Sequence, residues 1–375
     1  MATDLDELSL TAELVRIDTR NPPGDERDAA HLLGGLLAEA HFDVRYHEFA
    51  ERRTSVIATL AASSSTPSLA FTGHLDTVPL GSRPWTCDPF GAALAPDRIH
   101  GRGTADMKAG VAAVVTAAIR SAGRLGDAPG ITVILTASEE GGCLGSGHLI
   151  RTEGLLPRPG ALVVAEPTST YPCVGHRGAL KFWATFRGLA AHGSLPSLGS
   201  NAIYAATRAV TALQDFQFNV ASHPLMADPT LNVGTFHAGE AVNSVPDEAV
   251  IGIDIRTTPG MDHSLVLSDL RALLGEKAEL TVFQDIQAVY TDPAEPWIAK
   301  ATSLWMTLTG QSPQTRTLPY CTDGGNFRKI WPDIPVLILG PGAPEMAHQT
   351  DEYCHVSEIS FAAQFYDLLI ASWCE

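Results

Sequence analysis

The sequence lacks the features of several large classes of protein. Its 375 residues include six cysteines, with neither a CxxC pair nor a dense framework, so we expect reduced thiols rather than a disulfide scaffold. No block of Lys and Arg stands out, and the formal net charge is −17. This charge balance argues against a surface that binds nucleic acid or anionic lipid.

Long hydrophobic runs are also missing. The longest apolar run, Ala109 to Ile119, contains a Gly and a Thr and is shorter than the roughly 20 residues of a bilayer-spanning helix. The first residues are acidic and lack the basic end and apolar stretch of a signal peptide. Hydrophobic residues make up 45% of the chain and charged residues 18%, an ordinary globular composition. We therefore expect a cytoplasmic protein without a membrane segment.

Hydrophobic periodicity predicts an α/β fold for the first half of the chain. Short apolar strands at Leu69–Thr72, Ile131–Leu135 and Ala161–Ala165 alternate with helices such as Lys108–Ser121, and Ala61–Ser65 is predicted as a hairpin loop. Such alternation is typical of a mostly parallel, mixed sheet with helices on both faces. Ligands bind such sheets at the carboxyl ends of their strands.

A different order of elements begins at Gly178. Strands and helices follow as β-α-β-β-α-β over about a hundred residues, which is the ferredoxin-like or split βαβ unit. The α/β pattern returns after Pro293. We predict a larger domain of residues 1–176 and 291–375, with an inserted α+β domain of residues 177–290.

Five short polar segments carry residues that can bind metal. They are His74-Leu75-Asp76, Asp106-Met107-Lys108, Glu139-Glu140-Gly141, Ala165-Glu166-Pro167 and Ala347-His348-Gln349. Zinc prefers imidazole nitrogen and carboxylate oxygen, and a two-metal hydrolytic site also needs a bridging ligand and an acid/base that binds no metal. The segments contain candidates for every part, provided that they meet in space.

Local spacing predicts different parts for the first and third segments. His74 and Asp76 lie two residues apart on an extended chain and point to the same side. His74 can then bind metal while Asp76 accepts its other ring N–H, although the pair also suits a solvated loop. Glu139 and Glu140 are adjacent, so their side chains diverge, one toward metal and one toward substrate. Two glutamates on a surface turn are otherwise ordinary.

The remaining three segments each have a plain alternative. Asp106 precedes the predicted helix, where a short carboxylate suits a bridge between two cations but also suits a helix N-cap. Glu166 ends a very apolar strand, where a carboxylate needs a partner. His348 lies in a polar loop and by itself is interpreted as a surface histidine.

Taken together, the segments resemble the dinuclear-zinc aminoacylase and carboxypeptidase family of metallopeptidases, the M20 family. The resemblance covers essentially the whole chain. Its motifs are Gly73-His74-Leu75-Asp76-Thr77-Val78-Pro79, Gly101-Arg102-Gly103-Thr104-Ala105-Asp106-Met107-Lys108, Ser138-Glu139-Glu140-Gly141, Ala165-Glu166-Pro167-Thr168 and His348-Gln349-Thr350-Asp351-Glu352. Members of this family include acetylornithine deacetylase, succinyl-diaminopimelate desuccinylase, aminoacylase-1 and bacterial glutamate carboxypeptidase.

This resemblance implies a zinc-exopeptidase-like fold that holds two Zn²⁺ per subunit, with Co²⁺ or Mn²⁺ as other working metals. It implies that His74, Asp106 and Glu166 hold one ion. Asp106, Glu140 and His348 then hold the other, so that Asp106 bridges the two. The peptide that follows Asp106 is expected to be cis, as is common at this motif in the family.

The same resemblance implies roles for the residues around the metals. Glu139 is expected to be the general base, and Asp76 the supporting partner of His74. The inserted domain is expected to be a lid and dimerisation domain, from which His192 reaches into the partner subunit's site and helps to stabilise the oxyanion. Positions that match substrate contacts in the family are Arg177, Asn243, Arg256, Thr322 and Gly324.

Within the family, the sequence favours removal of the acyl group from an N-acyl amino acid, as in acetylornithine deacetylase. Desuccinylases usually carry Gly-Thr-Ser-Asp-Gly in the late loop and Arg-Gly-Ser at the hinge. This chain has Tyr320-Cys321-Thr322-Asp323-Gly324 and Arg177-Gly178-Ala179 instead. N-succinyl-diaminopimelate desuccinylase and a carboxypeptidase or dipeptidase remain alternatives, as does a non-catalytic binding protein on the same fold. The expected partners are a small N-acyl amino acid or dipeptide and a second copy of the chain.

Overall fold

The computed structural model describes residues 6–60, 66–123, 129–275 and 277–374. The loop predicted at Ala61–Ser65 lies outside these residues. The chain divides into two compact units. The first unit comprises Met1–Gly175, Tyr290–Leu318 and Thr322–Glu375, and the second comprises His176–Val289 and Pro319–Cys321.

Strands and helices alternate along most of the chain. The strands are β1 (Asp43–Ala50), β2 (Arg53–Leu60), β3 (Leu69–His74), β4 (Ala93–Ala95), β5 (Arg98–His100), β6 (Ile131–Thr136), β7 (Ala161–Val164), β8 (Cys173–His176), β9 (Gly178–Arg187), β10 (Ala191–His192), β11 (Thr230–Ala238), β12 (Ser244–Val245), β13 (Glu248–Thr257), β14 (Ala278–Ile286), β15 (Val289–Tyr290), β16 (Arg316–Leu318), β17 (Val336–Ile338) and β18 (Tyr353–His355). The helices are α1 (Glu7–Arg16), α2 (Arg27–Glu39), α3 (Ala109–Ala122), α4 (Leu144–Arg151), α5 (Ala202–Gln214), α6 (His263–Leu274), α7 (Pro296–Thr309), α8 (Gly324–Ile330) and α9 (Val356–Trp373).

A mixed sheet forms the centre of the first unit. Its strand order is β1-β2-β6-β3-β7-β17-β8-β15, and β16 pairs with β8. The central strands β6, β3, β7 and β17 run parallel to one another. β2 pairs antiparallel with β6, and β8 pairs antiparallel with β17. The predicted α/β class with parallel strands at the centre of its sheet is therefore confirmed.

The core of this unit explains why its central strands read as continuous apolar runs. Every residue of β3 and β6 is buried, as expected for parallel strands that have both faces covered. Helix α3 is buried along most of its length and packs against α9. Gly110 allows α3 to approach Ala165, the residue after β7, because a Cβ at position 110 would lie 2.3 Å from the carbonyl oxygen of Ala165. The start of α3 is thus held close to the end of β7.

The second unit contains an antiparallel sheet in the order β11-β13-β9-β14. Its main elements follow as β9, α5, β11, β13, α6 and β14, with a short ladder between β10 and β12. Helices α5 and α6 contact the sheet and one another. Alternate residues of β9 and β13 point into the shared core, which is the period-2 pattern of a sheet with one covered face.

Hydrophobic periodicity missed several short elements. Helices α4 and α8 were not predicted, nor was the small sheet in which β5 lies between β18 and β4. These elements have three to eight residues, which is too short for a period to be read.

Over the described residues, no helix is both long and apolar enough to cross a membrane. The six cysteines are all free thiols, as expected.

A buried ion pair connects the late polar loop to the motif that contains Asp106. Arg102 and Glu352 are each only 1% exposed at the side chain, and Nη1 of Arg102 lies 2.7 Å from Oε2 of Glu352. The Glu352 carboxylate also accepts hydrogen bonds from the backbone N–H groups of Gly103, Ala105 and Asp106. Four hydrogen-bond donors within residues 102–106 therefore share one acceptor, a side chain about 250 positions later in the sequence.

We predict that Glu352→Gln destabilises the fold by about 3–5 kcal/mol, because Arg102 is left as a buried charge without a compensating anion. The free energy of unfolding can be measured by urea denaturation. The matched control is Glu248→Gln, which breaks an exposed pair with Arg187 and is expected to cost less than about 1 kcal/mol. Equal effects of the two substitutions would contradict a special role for the buried pair.

Candidate active site

Three neighbouring strands deliver polar residues to one edge of the central sheet. β3 ends at His74, β6 ends shortly before Glu139 and Glu140, and β7 ends shortly before Glu166. These strands are parallel and adjacent, so their carboxyl ends lie at the same edge. The polar residues at the strand ends are therefore neighbours in space although they lie far apart in sequence.

The five candidate metal-binding side chains converge at this edge. Nε2 of His74 lies 2.9 Å from Oδ1 of Asp106 and 4.0 Å from Oε1 of Glu166. Nε2 of His348 lies 3.4 Å from Oδ2 of Asp106 and 3.1 Å from Oε1 of Glu140. Asp106 thus lies between the two imidazoles and presents a different oxygen to each. Potential ligand atoms of His74, Asp106 and Glu140 all lie within 4.8 Å of one another.

The backbone around Asp106 differs from a helix cap. Residues Thr104–Lys108 form a π-type turn, inside which Asp106 and Met107 have non-helical dihedral angles. α3 begins at Ala109, and its N-cap residue is Lys108. The interpretation of Asp106 as a helix N-cap is therefore wrong, because its carboxylate faces the two imidazoles. The Asp106–Met107 peptide is cis, which confirms the expectation from the motif.

The carboxyl groups in and beside this cluster are crowded in a poorly solvated space. Burial raises the pKa of Glu166 well above its ordinary value, and the charge of Asp106 adds to the effect. Burial likewise raises the pKa of Glu139 well above its ordinary value, helped by the charge of Glu166. Burial also acts to raise the pKa of Asp106, but hydrogen bonds from His348 and His74 outweigh it, and the pKa falls below its ordinary value.

The two imidazoles respond in the opposite direction. Hydrogen bonds to Asp106 and Glu140 raise the pKa of His348 to about 10. For His74, burial lowers the pKa, but the hydrogen bond to Asp106 and the nearby carboxylates raise it well above its ordinary value. Without a metal, the neighbouring carboxylates thus favour the protonated form of both rings. Two imidazoles with three carboxylates also form a donor set that suits a divalent cation with a preference for nitrogen and oxygen ligands.

Asp76 has a different partner from the expected one. Nδ1 of His74 lies 2.9 Å from the backbone oxygen of Asp76, whereas the nearest oxygen of its carboxylate is 3.6 Å away. The carboxylate instead accepts hydrogen bonds from the backbone N–H groups of Glu139 (2.9 Å) and Glu140 (3.2 Å). The prediction that the ring N–H of His74 donates to the carboxylate of Asp76 is therefore wrong. The two backbone N–H groups lie in a partly buried turn and need an acceptor, so they take the carboxylate in place of the imidazole ring.

The side chains of the two adjacent glutamates have separate partners. Oε1 of Glu140 lies 3.1 Å from His348. Oε1 of Glu139 accepts a hydrogen bond from the thiol of Cys143 at 3.3 Å. The turn that contains both glutamates begins at Ser138, whose φ of 57° lies in the left-handed region. One carboxylate therefore belongs to the imidazole cluster while its neighbour lies outside it.

A buried acid that the sequence interpretation omitted lies beside this turn. Asp323 accepts hydrogen bonds from the hydroxyls of Thr136 and Ser146, and Asn326 donates to the same Ser146 oxygen. Burial raises the pKa of Asp323. Its position in the sequence indicates a place at the site, because it lies between Thr322 and Gly324, which both match substrate contacts in the family. In the structure, Oγ1 of Thr322 accepts from the N–H of Gly324 at 3.1 Å.

The other candidate substrate contacts belong to the second unit. Nη2 of Arg177 donates to the backbone oxygens of Asp228 (2.8 Å) and Arg256 (3.2 Å), which brings the two arginines together. Asn243 is exposed, and its backbone oxygen accepts from the N–H of Gly193. His192 is exposed on β10, and its Nδ1 lies 2.7 Å from the hydroxyl of Ser194.

Comparisons with known proteins show the family to which the chain belongs. A model of peptidase family M20/M25/M40 matches residues 70–372. The chain is 29% identical over 382 residues to an acetylornithine deacetylase of Photorhabdus laumondii, covering 98% of this chain and 94% of that protein. It is 28% identical over 384 residues to a probable succinyl-diaminopimelate desuccinylase of Staphylococcus epidermidis, covering 94% and 93%.

Solved structures support the same fold. The aminopeptidase PepT from Bacillus cereus aligns over 100% of both chains, with a TM-score of 0.76 and 21% identity. A metallo-carboxypeptidase from Sulfolobus solfataricus aligns over 98% of this chain and 99% of that one, with a TM-score of 0.79 and 16% identity. The chain belongs to peptidase family M20/M25/M40 and is a metal-dependent hydrolase.

The adjacent glutamates allow a matched test of metal binding. Glu140→Gln removes a charge that faces His348 and is expected to lower the amount of bound metal, with about a 10–100-fold loss of affinity or more. Glu139→Gln changes the same group one residue earlier, outside the imidazole cluster, and is expected to retain the metal. Metal content after gel filtration distinguishes the two. Loss of metal from Glu139→Gln alone would reverse the assignment.

Proposed function

We propose that the chain is a dinuclear zinc amidohydrolase that removes the acyl group from an N-acyl amino acid, as in acetylornithine deacetylase. The observation that supports this most strongly is the position of Asp106, with one carboxylate oxygen toward His74 and the other toward His348. This is the geometry that a carboxylate needs to bridge two cations. Glu139 lies beside the cluster and is available as an acid/base.

In this proposal, each metal has three protein ligands. His74, Asp106 and Glu166 hold one ion, and Asp106, Glu140 and His348 hold the other. The separations between these side chains, from 2.9 to 4.0 Å, are consistent with this grouping. A set of three protein ligands for each ion would suit a catalytic rather than a structural zinc site. Co²⁺ and Mn²⁺ accept the same donor set.

The proposed reaction depends on proton transfer by Glu139. When bound, the metals supply Lewis acidity, which lowers the pKa of a water molecule and polarises the acyl carbonyl. The carboxylate of Glu139 accepts the proton of the attacking water and then donates it to the nitrogen of the leaving amine. Burial raises the pKa of Glu139, and the charge of Glu166 adds to the effect.

Two positions favour a deacetylase over a desuccinylase. The hydroxyl of Thr322 is buried and accepts a hydrogen bond from its own loop. Ala179, where desuccinylases usually carry serine, has no hydroxyl and is fully buried. Neither side chain therefore offers an exposed hydroxyl to a succinyl carboxylate. The acetylornithine deacetylases among the relatives agree with this preference, whereas the probable desuccinylase keeps N-succinyl substrates as the second candidate.

The second unit is proposed as a lid and dimerisation domain. β11 is an edge strand of its sheet, and none of its residues is buried. An exposed strand edge is a ready template for pairing with a second copy of the chain. His192 is exposed on β10 of the same unit, and its Nδ1 lies 2.7 Å from the hydroxyl of Ser194. Nε2 is therefore the atom that we expect to donate to the oxyanion in the partner's site.

A panel of substrates tests the reaction class. N-acetyl amino acids are expected to be hydrolysed with a higher kcat/KM than N-formyl or N-succinyl amino acids or dipeptides. Prolonged dialysis against a chelator should abolish the activity, and Zn²⁺, Co²⁺ or Mn²⁺ should restore it, because the metals supply the Lewis acid. Faster hydrolysis of dipeptides would instead favour the carboxypeptidase or dipeptidase alternative. Absence of turnover by the metal-loaded protein on the whole panel would favour a binding protein.

A mixing experiment tests whether two subunits share each site. Glu139→Gln removes the acid/base and is expected to lower kcat by about 10²–10⁴-fold, and His192→Ala is expected to be inactive as well. Exchange of subunits between them produces dimers with one intact site. Recovery to about a quarter of wild-type activity is expected for a statistical mixture of twofold dimers. No recovery after demonstrated subunit exchange would mean that His192 acts in its own chain or not at all.

A further inference from the structure

A segment near the N-terminus runs alongside the loop that follows β3. Residues 17–21, here called the N-terminal strap, lie beside residues 75–77. Thr19 donates its hydroxyl to the backbone oxygen of Leu75 at 2.7 Å. Asn21 donates its N–H to Thr77, and Thr77 donates its own N–H to Thr19. The strap lies outside residues 70–372, which the family model matches.

The strap also has an anchor at its first residue. Lys108 is buried, and its ammonium group donates to the backbone oxygen of Ile17 at 2.7 Å. Lys108 is the last residue of the turn that carries Asp106. The strap is therefore held at both ends by residues next to the candidate metal-binding side chains. Its last residue, Asn21, is in contact with the site.

The side-chain amide of Asn21 reaches the group that organises the adjacent glutamates. Nδ2 of Asn21 donates to Oδ2 of Asp76 at 2.8 Å and to the hydroxyl of Ser138 at 3.2 Å. The same Asp76 carboxylate accepts from the N–H groups of Glu139 and Glu140. Asn21 is thus one hydrogen bond removed from both of these backbone amides.

The fit between Asn21 and this turn is close. A Cβ on Gly141 would lie 2.9 Å from Nδ2 of Asn21 and 2.5 Å from the hydroxyl of Ser138. Ser138 has a φ of 57°, a conformation that a residue with a side chain adopts rarely and that persists where its surroundings impose it. The amide of Asn21 is one of the groups that surround this turn.

The N–H of Ser138 has a separate acceptor. It donates to Glu26 at 3.3 Å, and Glu26 is itself held by two hydrogen bonds from Arg53. Successive backbone amides of the turn therefore donate to two different buried acids. Of these two acids, Asn21 contacts Asp76, whose carboxylate accepts hydrogen bonds from the N–H groups of Glu139 and Glu140. Its removal is expected to affect these two amides selectively.

We propose that Asn21 is a positioning residue, which acts through Asp76 and Ser138 to orient the Glu139–Glu140 turn. The bond between its neutral amide and the charged Asp76 is of the strong, charge-assisted kind. It fixes the rotation of the carboxylate so that both oxygens stay aligned with the two backbone donors. In combination with the proposed function, on which this catalytic consequence rests, Asn21 keeps Glu139 directed to substrate and Glu140 to metal.

Hydrogen–deuterium exchange of the metal-free protein tests the positioning directly. In Asn21→Ala, the amides of Glu139 and Glu140 are expected to exchange about 10-fold faster or more, because a hydrogen bond to a charged group is weakened. Amides of α3 should be unchanged. The control is Thr116→Val, which removes a buried hydroxyl bond to Ala112 inside α3 and should leave the turn unaffected. Unchanged exchange at Glu139 and Glu140 in Asn21→Ala would overturn the proposal.

A second substitution separates hydrogen bonding from shape. Asn21→Asp keeps the outline of the side chain but places an acceptor against the Asp76 carboxylate. It is expected to increase exchange at the turn at least as much as Asn21→Ala does, because like charges and unmatched acceptors repel. Protection equal to the wild type in Asn21→Asp would show that only packing matters and would overturn a role for the amide.

Kinetics then tests the catalytic consequence. Misplacement of a reacting group by about 1 Å can cost about 10²-fold, so Asn21→Ala is expected to lower kcat by about 10–100-fold. KM and the metal content at saturation should stay close to wild type, unlike the result for an unfolded or metal-depleted variant. A wild-type kcat in Asn21→Ala would overturn the catalytic role. If the wild type hydrolysed none of the substrates, the proposed function would fail, whereas the exchange measurements would still decide the positioning.

Discussion

The concentration of buried carboxyl groups at one edge of the sheet is the constraint on which this site depends. Asp76, Asp106, Glu166, Asp323 and Glu352 are buried or nearly so within a small region. Placing like charges in a poorly solvated space is costly unless each has a compensating partner. Much of the local structure, including the positions of the imidazoles, provides these partners. A divalent cation would provide the rest.

The acids are compensated in two distinct ways. Asp106 and Glu166 face imidazoles, whose protons can be replaced by a metal ion, so their surroundings can change with metal loading. Asp76, Glu352 and Asp323 are instead satisfied by backbone N–H groups, by Arg102 or by hydroxyls, none of which exchanges with a metal. The second group therefore forms a rigid support for the first. Such supporting contacts commonly decide how well a metal site is oriented.

The fold could be predicted in its long elements and not in its short ones. The strand predicted at Leu69–Thr72 is observed as Leu69–His74, and the helix predicted from Lys108 to Ser121 is observed as Ala109–Ala122. Their apolar runs are long and regular because both faces of the sheet are covered. α8 has only seven residues, and the π-type turn at Asp106 has no periodic pattern. Tertiary contacts, such as those of Glu352, decide such segments.

The sequence by itself determined the chemistry of this protein, because carboxylates and imidazoles follow the apolar strands and can be recognised in order along the chain. Only the tertiary structure decided which group each of them contacts. The carboxylate of Asp76 accepts hydrogen bonds from the backbone N–H groups of Glu139 and Glu140 instead of from the ring of His74. Asn21 meets Ser138 from 117 positions away. Local spacing carries no information about such partners, because hydrogen bonds between distant segments form only when the whole sheet has assembled and the buried donors must each find an acceptor.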